Sequence, residues 1–184
     1  MTTRTRSQIY VSIAATILTA TLAVPAAAQT SCADFAPGCF KGTFQGQDAH
    51  DILAAEATSV VITTTAAGVG TQLGRFSLNR LVTGNLLNFT AAGLADWVAA
   101  NGDSIYTTVF GQAVLSDLPG GFLKVTETHT ITGGTGRFTG VQGSITVELF
   151  HALAVSSVAG DVETHDIFGS FHGNIASPGA AHRP

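Results

Sequence analysis

The chain has 184 residues, and 11% of them are charged: 8 Lys and Arg stand against 12 Asp and Glu, a formal net charge of −4. Nucleic acid and anionic membranes are poor partners for such a chain, because both are bound through clusters of basic side chains. Few charges combined with plentiful Gly, Thr, Ser and Ala predict a folded, strand-rich protein rather than a disordered one.

Residues 1–28 have the pattern of a cleavable secretory signal. Arg4 and Arg6 precede an apolar stretch over 9–24, which is short for a membrane span, and small side chains follow up to Ala28. We expect cleavage after Ala28, no stable membrane insertion afterwards, and a secreted or periplasmic protein. Loss of the two arginines leaves 6 basic side chains against 12 acidic ones.

The segment 29–38 and the residue after it contain the two cysteines of the chain, Cys32 and Cys39, with Pro37 and Gly38 between them. In an oxidising compartment this spacing predicts a disulfide, which would stabilise the fold by about 2 to 3 kcal/mol on the chain-entropy model. A metal site is the weaker interpretation, because no second Cys or His pair lies nearby.

Strand patterns fill the chain from Phe40 onward, where short runs of Thr, Val, Ile and Phe are separated by Gly, Asn and Asp about every ten residues. We predict one domain over 39–177 and a flexible tail over 178–184. The predicted strands cover residues 39–46, 58–65, 71–82, 85–91, 94–100, 104–115, 121–132, 137–154 and 161–176.

The clearest turn joins two of these predicted strands. The segment 91–100 has a helix-forming composition, but the Asn101-Gly102 pair that follows it is typical of a type I′ hairpin, which needs two positive φ angles. We therefore predict that a strand ending near Ala100 pairs with a strand beginning near Ser104.

Two segments alternate between apolar and polar residues, which is the signature of strands with one buried face. One predicted inner face comprises Ile145, Val147, Leu149, His151, Leu153 and Val155. The other comprises Leu123, Val125, Glu127, His129 and Ile131. Strands of this kind joined by short turns predict an all-β protein, a closed antiparallel β-barrel of about eight strands that leaves no sheet edge exposed. A two-sheet β-sandwich is the alternative.

A glycine-rich segment over 131–144, with the sequence Ile-Thr-Gly-Gly-Thr-Gly-Arg-Phe-Thr-Gly-Val-Gln-Gly-Ser, resembles a turn and strand of the allene oxide cyclase and dirigent superfamily. Its Gly-Arg-Phe motif at 136–138 is echoed at 74–76, again at the start of a predicted strand. Along most of the chain the sequence resembles bacterial secreted proteins of that barrel type. The segments that carry this wider resemblance are 73–76, 99–103, 131–144 and 171–179.

The resemblance implies an eight-stranded antiparallel barrel that encloses an apolar cavity, and it implies export. It implies no reaction, because the catalytic residues of the plant enzymes do not align with positions of this sequence. The glycines favour a tight turn over a phosphate-binding loop, since strands and not a helix are expected on both sides.

Five ionisable side chains fall on strands among apolar neighbours and are the candidates for acid–base catalysis inside the barrel: Glu127, His129, His151, Glu163 and His165. Burial there would raise the pKa of a carboxyl group, and a neighbouring imidazole would exchange protons with it. Two histidines and a carboxylate also suit a metal ion. We favour the simpler interpretation that these groups are hydrogen-bonded within the fold, with no metal and no cofactor.

Three further polar residues are placed at the ends or edges of the predicted barrel. Arg75 and Arg137 are candidates for binding an anionic ligand, although a position with the stem over the barrel end and the head in water is favoured. His50, near Asp48 and Asp51, is interpreted as a loop residue.

The leading functional hypothesis is an exported barrel, without enzymatic activity, that binds one small apolar ligand in its interior. One alternative is an isomerase or cyclase that uses the Glu and His side chains in the cavity. The other is a non-catalytic envelope or extracellular protein whose outer face contacts other macromolecules.

Overall fold

The computed structural model describes residues 39–51, 58–152 and 162–176. The predicted signal sequence, Cys32 of the predicted disulfide and the predicted tail lie outside the described residues, so these three interpretations stay predictions. Cys39 is a buried residue at the start of the first strand. Within the described ranges no helix is long and apolar enough to cross a membrane.

Eight strands form the domain, and each is hydrogen-bonded to its neighbours in the sequence. They are β1 Cys39–Asp51, β2 Ser59–Gly70, β3 Gly74–Asn85, β4 Thr90–Ala99, β5 Ser104–Leu115, β6 Phe122–Gly134, β7 Gln142–Ala152 and β8 Val162–Ala176. All pairings are antiparallel, including the pairing of β1 with β8 that closes the sheet. The prediction of a closed antiparallel barrel is confirmed, and the β-sandwich alternative is wrong.

The period of two along each strand decides which side chains fill the barrel. In β3 the buried residues Phe76, Leu78, Arg80 and Val82 alternate with residues that are half-buried or exposed. The inner faces predicted for β6 and β7 point inward in the part of the chain that the structure describes. Most inward side chains are therefore apolar, and a few charged side chains occupy inward positions between them.

One predicted division of the strands is wrong: the segments 85–91 and 94–100 do not form two strands, because β3 is followed by a turn and then by the single strand β4. The turn is stabilised by the Asn85 side chain, which accepts hydrogen bonds from the N–H groups two and three residues further on, at 2.9 and 3.3 Å. Phe89 then has a positive φ of 56°, and β4 begins at the next residue.

The turn between β4 and β5 exists as predicted, but it is not of type I′. Gly102 has a positive φ of 88°, whereas Asn101 is not among the described residues with positive φ. The Gly102 N–H donates to the Ala99 carbonyl at 2.8 Å, and the Ala99 N–H donates to the Asp103 carbonyl at 2.9 Å. These bonds define a three-residue hairpin loop, in which one left-handed glycine is enough.

The glycine-rich segment is a turn between two antiparallel strands. A 3₁₀ turn over Gly136–Phe138 connects β6 to β7 and buries the Phe138 side chain. Gly136 has a φ of 55°, and a Cβ atom at this position would overlap the Asp103 carboxylate. The backbone conformation therefore favours glycine, and a Cβ atom here would also have to displace the Asp103 side chain.

Large aromatic side chains fill the end of the barrel at which β2, β4, β6 and β8 finish, which we call the aromatic end. Trp97 is fully buried there, and its ring lies between 4.9 and 6.5 Å, centroid to centroid, from four phenyl rings. These rings belong to Phe40, Phe44, Phe76 and Phe171. The opposite end, at which β1, β3, β5 and β7 finish, we call the cavity end.

Candidate functional site

A layer of hydrogen-bonded polar side chains crosses the barrel between its two ends, with Arg80 of β3 at its centre. Arg80 is only 4% exposed, and each of its guanidinium nitrogens is engaged. Nε donates to Thr64 Oγ1 at 2.8 Å, Nη2 donates to both Asp48 carboxylate oxygens at 3.2 and 3.3 Å, and Nη1 donates to Glu127 Oε1. Thr64 also donates to Asp48. We call these four residues the Arg80 layer.

Glu127 connects the Arg80 layer to a fully buried histidine. Glu127 Oε2 lies 3.0 Å from His129 Nε2, and His129 Nδ1 lies 3.2 Å from Thr107 Oγ1. The Thr107 hydroxyl donates its proton to the Ala95 carbonyl at 3.2 Å, so Thr107 Oγ1 faces His129 Nδ1 as an acceptor. Both oxygens of Glu127 are therefore occupied.

The two carboxylates of the layer have lowered pKa values. Burial by itself would raise the pKa of Asp48, but His50, the Arg80 charge and the Thr64 hydroxyl outweigh it, and the pKa lies below the ordinary 3.8. Burial likewise opposes ionisation of Glu127, yet the Arg80 charge and the contact with His129 hold its pKa below the ordinary 4.5. Both groups are ionised at neutral pH.

Three histidines lie together at the cavity end, on the inner faces of β1, β7 and β8. The His50 ring is 5.4 Å from the His151 ring and 4.9 Å from the His165 ring, and the latter two are 6.3 Å apart, all measured between centroids. His165 Nε2 lies 3.5 Å from Glu163 Oε2 of the same strand. Among the described residues, no group of three His, Cys, Asp or Glu side chains is arranged to hold a metal ion.

His50 has a buried ring nitrogen without a hydrogen bond, a state that His165 Nε2 and Glu163 Oε2 share. It is 7% exposed, and its Nε2 lies 3.9 Å from Asp48 Oδ2, which is beyond hydrogen-bond distance. No residue in the described ranges forms a hydrogen bond with this nitrogen. This nitrogen faces the Asp48 carboxylate, whose pKa His50 helps to lower, and a ligand atom placed beside it would meet an unsatisfied hydrogen-bonding group.

A cavity of about 200 Å³ lies at the cavity end, against the Arg80 layer. Its walls are mainly apolar and include Val60, Ile62, Val82, Leu123 and Val125. Its ionisable lining consists of His50, Arg80, Glu127 and His151. The exposed side chains of Leu86 and Phe89, on the turn between β3 and β4, also border it, so the cavity is adjacent to solvent.

The five residues predicted to meet inside the barrel all project from its inner face, but they form two groups. Glu127 and His129 belong to the hydrogen-bonded layer in the middle of the barrel. His151, Glu163 and His165 lie at the cavity end. Of the five, Glu127 and His151 border the cavity itself.

The two arginines considered for anion binding lie at the aromatic end, away from the cavity. Arg75 is exposed on the outer face of β3. Arg137 Nη2 donates to the Leu73 carbonyl at 3.3 Å, its Nε lies 3.7 Å from Asp103 Oδ2, and its guanidinium stacks on the Phe138 ring at 4.9 Å. Arg137 is thus held by the turn to which it belongs and by the neighbouring loops.

Sequence reasoning misses three ionisable members of the site, Asp48, His50 and Arg80, and the two threonines that bind to it, Thr64 and Thr107. The interpretation of His50 as a loop residue is wrong, because β1 continues to Asp51 and keeps its alternation. The signal is the period of two that begins at Phe44 and continues through the polar residues of β1. Arg80 gives the same signal, a charged residue at an inward position of β3 between two apolar ones.

Comparisons with known proteins add little to this geometry. No family model matches the sequence, and no curated protein matches it significantly. Among solved structures, the chain is similar to the pterocarpan synthase dirigent protein GePTS1, with 12% identity and a TM-score of 0.37 over 91% of this chain and 99% of that chain. At these values the likeness carries no argument about function, and the barrel is described from its own strand pairing.

Proposed function

We propose that the protein is an exported barrel that binds one small, largely apolar molecule in the cavity at the cavity end. The supporting observation is a concave site with apolar walls and a few convergent ionisable groups, which is the usual composition of small-molecule sites. An apolar cavity of about 150 Å³ holds a molecule such as benzene, so the volume is sufficient for a ligand of this size. Export rests on the sequence pattern of residues 1–28.

The cavity is well supported by the rest of the barrel. The strands that form its walls are each hydrogen-bonded to two neighbouring strands, since the sheet is closed. The Arg80 layer closes the side of the cavity that faces the aromatic end. A site of this kind is formed before the ligand arrives, so binding needs little ordering of the protein.

An acid–base isomerase acting on the same ligand is a second candidate, and one observation favours it: the unpartnered His50 Nε2 borders the cavity. Glu127 is poorly suited to this role, because Arg80 and His129 occupy its oxygens and its lowered pKa makes it a weak base. If the protein is such an enzyme, His50→Phe will abolish turnover while a bound ligand is retained.

Binding is tested by titrating ¹⁵N-labelled protein with benzyl alcohol, an uncharged probe that fits the cavity. We expect amide shifts at Ala91, Val125 and other residues of the cavity end, and none at the Trp97 indole of the aromatic end. The Ala91→Phe variant should weaken binding by at least about tenfold, because Ala91 borders the cavity and its cross-strand neighbours are the glycines Gly84 and Gly111.

The matched control is Ala92→Phe, which places the same ring one residue further along β4, on the exposed outer face. This variant should bind the probe like the wild type. Equal binding by Ala91→Phe and the wild type, or shifts confined to the outer surface, would refute the proposed site.

A further inference from the structure

We propose that the cavity selects a ligand whose polar group is a cation, such as a primary ammonium group on a small apolar body. This inference rests on the proposed function and specifies the chemical class of its ligand. It stands on the balance of charges inside the barrel, on the engagement of Arg80 and on the position of His50.

The inner face of the barrel carries more acidic than basic side chains in the part of the chain that the structure describes. The carboxylates are Asp48, Glu127 and Glu163, and the guanidinium of Arg80 is the permanent positive charge among them. Arg80 and Glu127 border the cavity, and Asp48 and Glu163 lie behind the histidines at its end. With the imidazoles neutral, two negative charges remain in excess, and protonation of any one histidine still leaves one. Apolar walls strengthen the attraction that this excess exerts on a cation.

Arg80 cannot serve as the receptor for an anion, although it borders the cavity. Its nitrogens already donate to Thr64, Asp48 and Glu127, and withdrawing one of these bonds would leave a buried carboxylate without its partner. An entering carboxylate would therefore meet a guanidinium that is already neutralised and a surplus of negative charge.

An ammonium group finds acceptors where His50, which borders the cavity, faces the Asp48 carboxylate behind it. A neutral His50 accepts at Nε2 when its proton is on Nδ1, and Asp48 Oδ2 lies 3.9 Å from the same nitrogen. An ammonium group has three donors and no acceptor. Placed beside His50, it would satisfy the unpartnered nitrogen and balance part of the negative charge at once.

The test is a comparison of three probes of nearly equal shape: benzylamine, benzyl alcohol and benzoate. Each is titrated into the protein at about pH 8, where imidazoles are ordinarily neutral and benzylamine is protonated. We expect benzylamine to bind at least about tenfold more tightly than benzyl alcohol, and benzoate to bind the most weakly.

One variant locates the source of the preference. Glu163→Gln, at the cavity end and outside the Arg80 layer, should reduce the ratio of amine to alcohol affinity by about threefold. The matched control is Asp166→Asn, which removes the same charge from an exposed position of β8. It should leave the ratio at the wild-type value.

The outcomes separate this inference from the proposed function. If benzyl alcohol binds in the cavity as tightly as benzylamine, or if benzoate binds best, the inference is wrong and the apolar-ligand function stands. If the ratio falls equally in Asp166→Asn and Glu163→Gln, the preference comes from the outer surface and the inference is wrong. If none of the three probes binds, both are wrong.

Discussion

The two ends of the barrel are built on the same eight strands and yet differ in what they enclose. At the aromatic end, Trp97 and the phenyl rings around it leave the interior filled. At the cavity end the inward positions hold smaller side chains, such as Val82, Ala91 and Ala113, and a space of about 200 Å³ remains. The difference teaches that closure of a sheet does not determine whether its interior is hollow, because side-chain volume at the inward positions decides it.

The Arg80 layer separates these two ends, and stability alone does not explain it. Buried ion pairs lose about as much in desolvation as they gain in attraction, so apolar residues of similar volume would often serve the fold equally well. The layer therefore places charge beside the cavity, where it bears on ligand choice. If the barrel consists of a filled end, a charged layer and a hollow end, substitutions at these three places should differ in their effects.

Removal of the central charge should have the largest effect. Arg80→Met leaves two buried carboxylates without their partner, and we expect the free energy of unfolding at about pH 7 to fall by about 3 to 5 kcal/mol in urea denaturation. Arg75→Met, on the exposed face of the same strand, should change it by less than about 0.5 kcal/mol. Similar losses in both variants would contradict the described layer.

Replacing a leucine by alanine should lower the free energy of unfolding by different amounts at the two ends of the barrel. Leu73 is buried at the aromatic end, and Leu73→Ala should cost about 3 kcal/mol because the packed surroundings retain a void. Leu123 is half-buried and already faces the cavity, so Leu123→Ala should cost only about 1 kcal/mol. Urea denaturation of both variants checks the comparison, and equal costs would mean that the cavity end is as tightly packed as the other.

Acid should weaken the charged layer in a defined direction. The folded-state pKa values of Asp48 and Glu127 are lowered, so their contribution to stability is complete above the ordinary 3.8 and 4.5 and is lost as the pH falls through the folded-state values. The effect should be smaller than that of Arg80→Met, because protonated carboxyl groups remain hydrogen-bonded. Denaturation midpoints measured between neutral and acidic pH should fall less steeply in the Asp48→Asn, Glu127→Gln double variant.

The smallest effect is expected at the rim of the cavity end. Leu87 is 75% exposed on the turn between β3 and β4, and Leu87→Ser should change stability by less than about 0.5 kcal/mol. A thermal melt of the variant checks this. A larger loss would show that the rim is part of the folded core.

The strands and their inward faces could be predicted from the sequence, because a period of two is a local property of the chain. It is visible in Glu127 and His129 among the apolar residues of β6. The turn chemistry was only partly predictable, since Asn101-Gly102 indicated a hairpin and yet the loop uses a single positive φ.

The Arg80 layer could not be predicted in the same way. Arg80 is separated by 32 residues from Asp48 and by 47 from Glu127, and their meeting depends on the register of strands that are not all adjacent. The polar residues were visible as interruptions of apolar faces, but their partners across the barrel were not. The cavity also depends on summed side-chain volumes, which no single motif records.

The pairing of β1 with β8 closes the barrel and brings the start of β1 close to the end of β8. Cys39, the first residue of β1, is the register partner of Asn174, two residues before the end of β8, so the start and the end of the sheet are close in space. Because every other pairing joins strands that follow one another, a short linker between the two would leave the ring of strands unaltered. A circular permutant in which this linker joins β8 to β1, and in which the chain begins and ends at the turn between β4 and β5, should therefore form the same barrel.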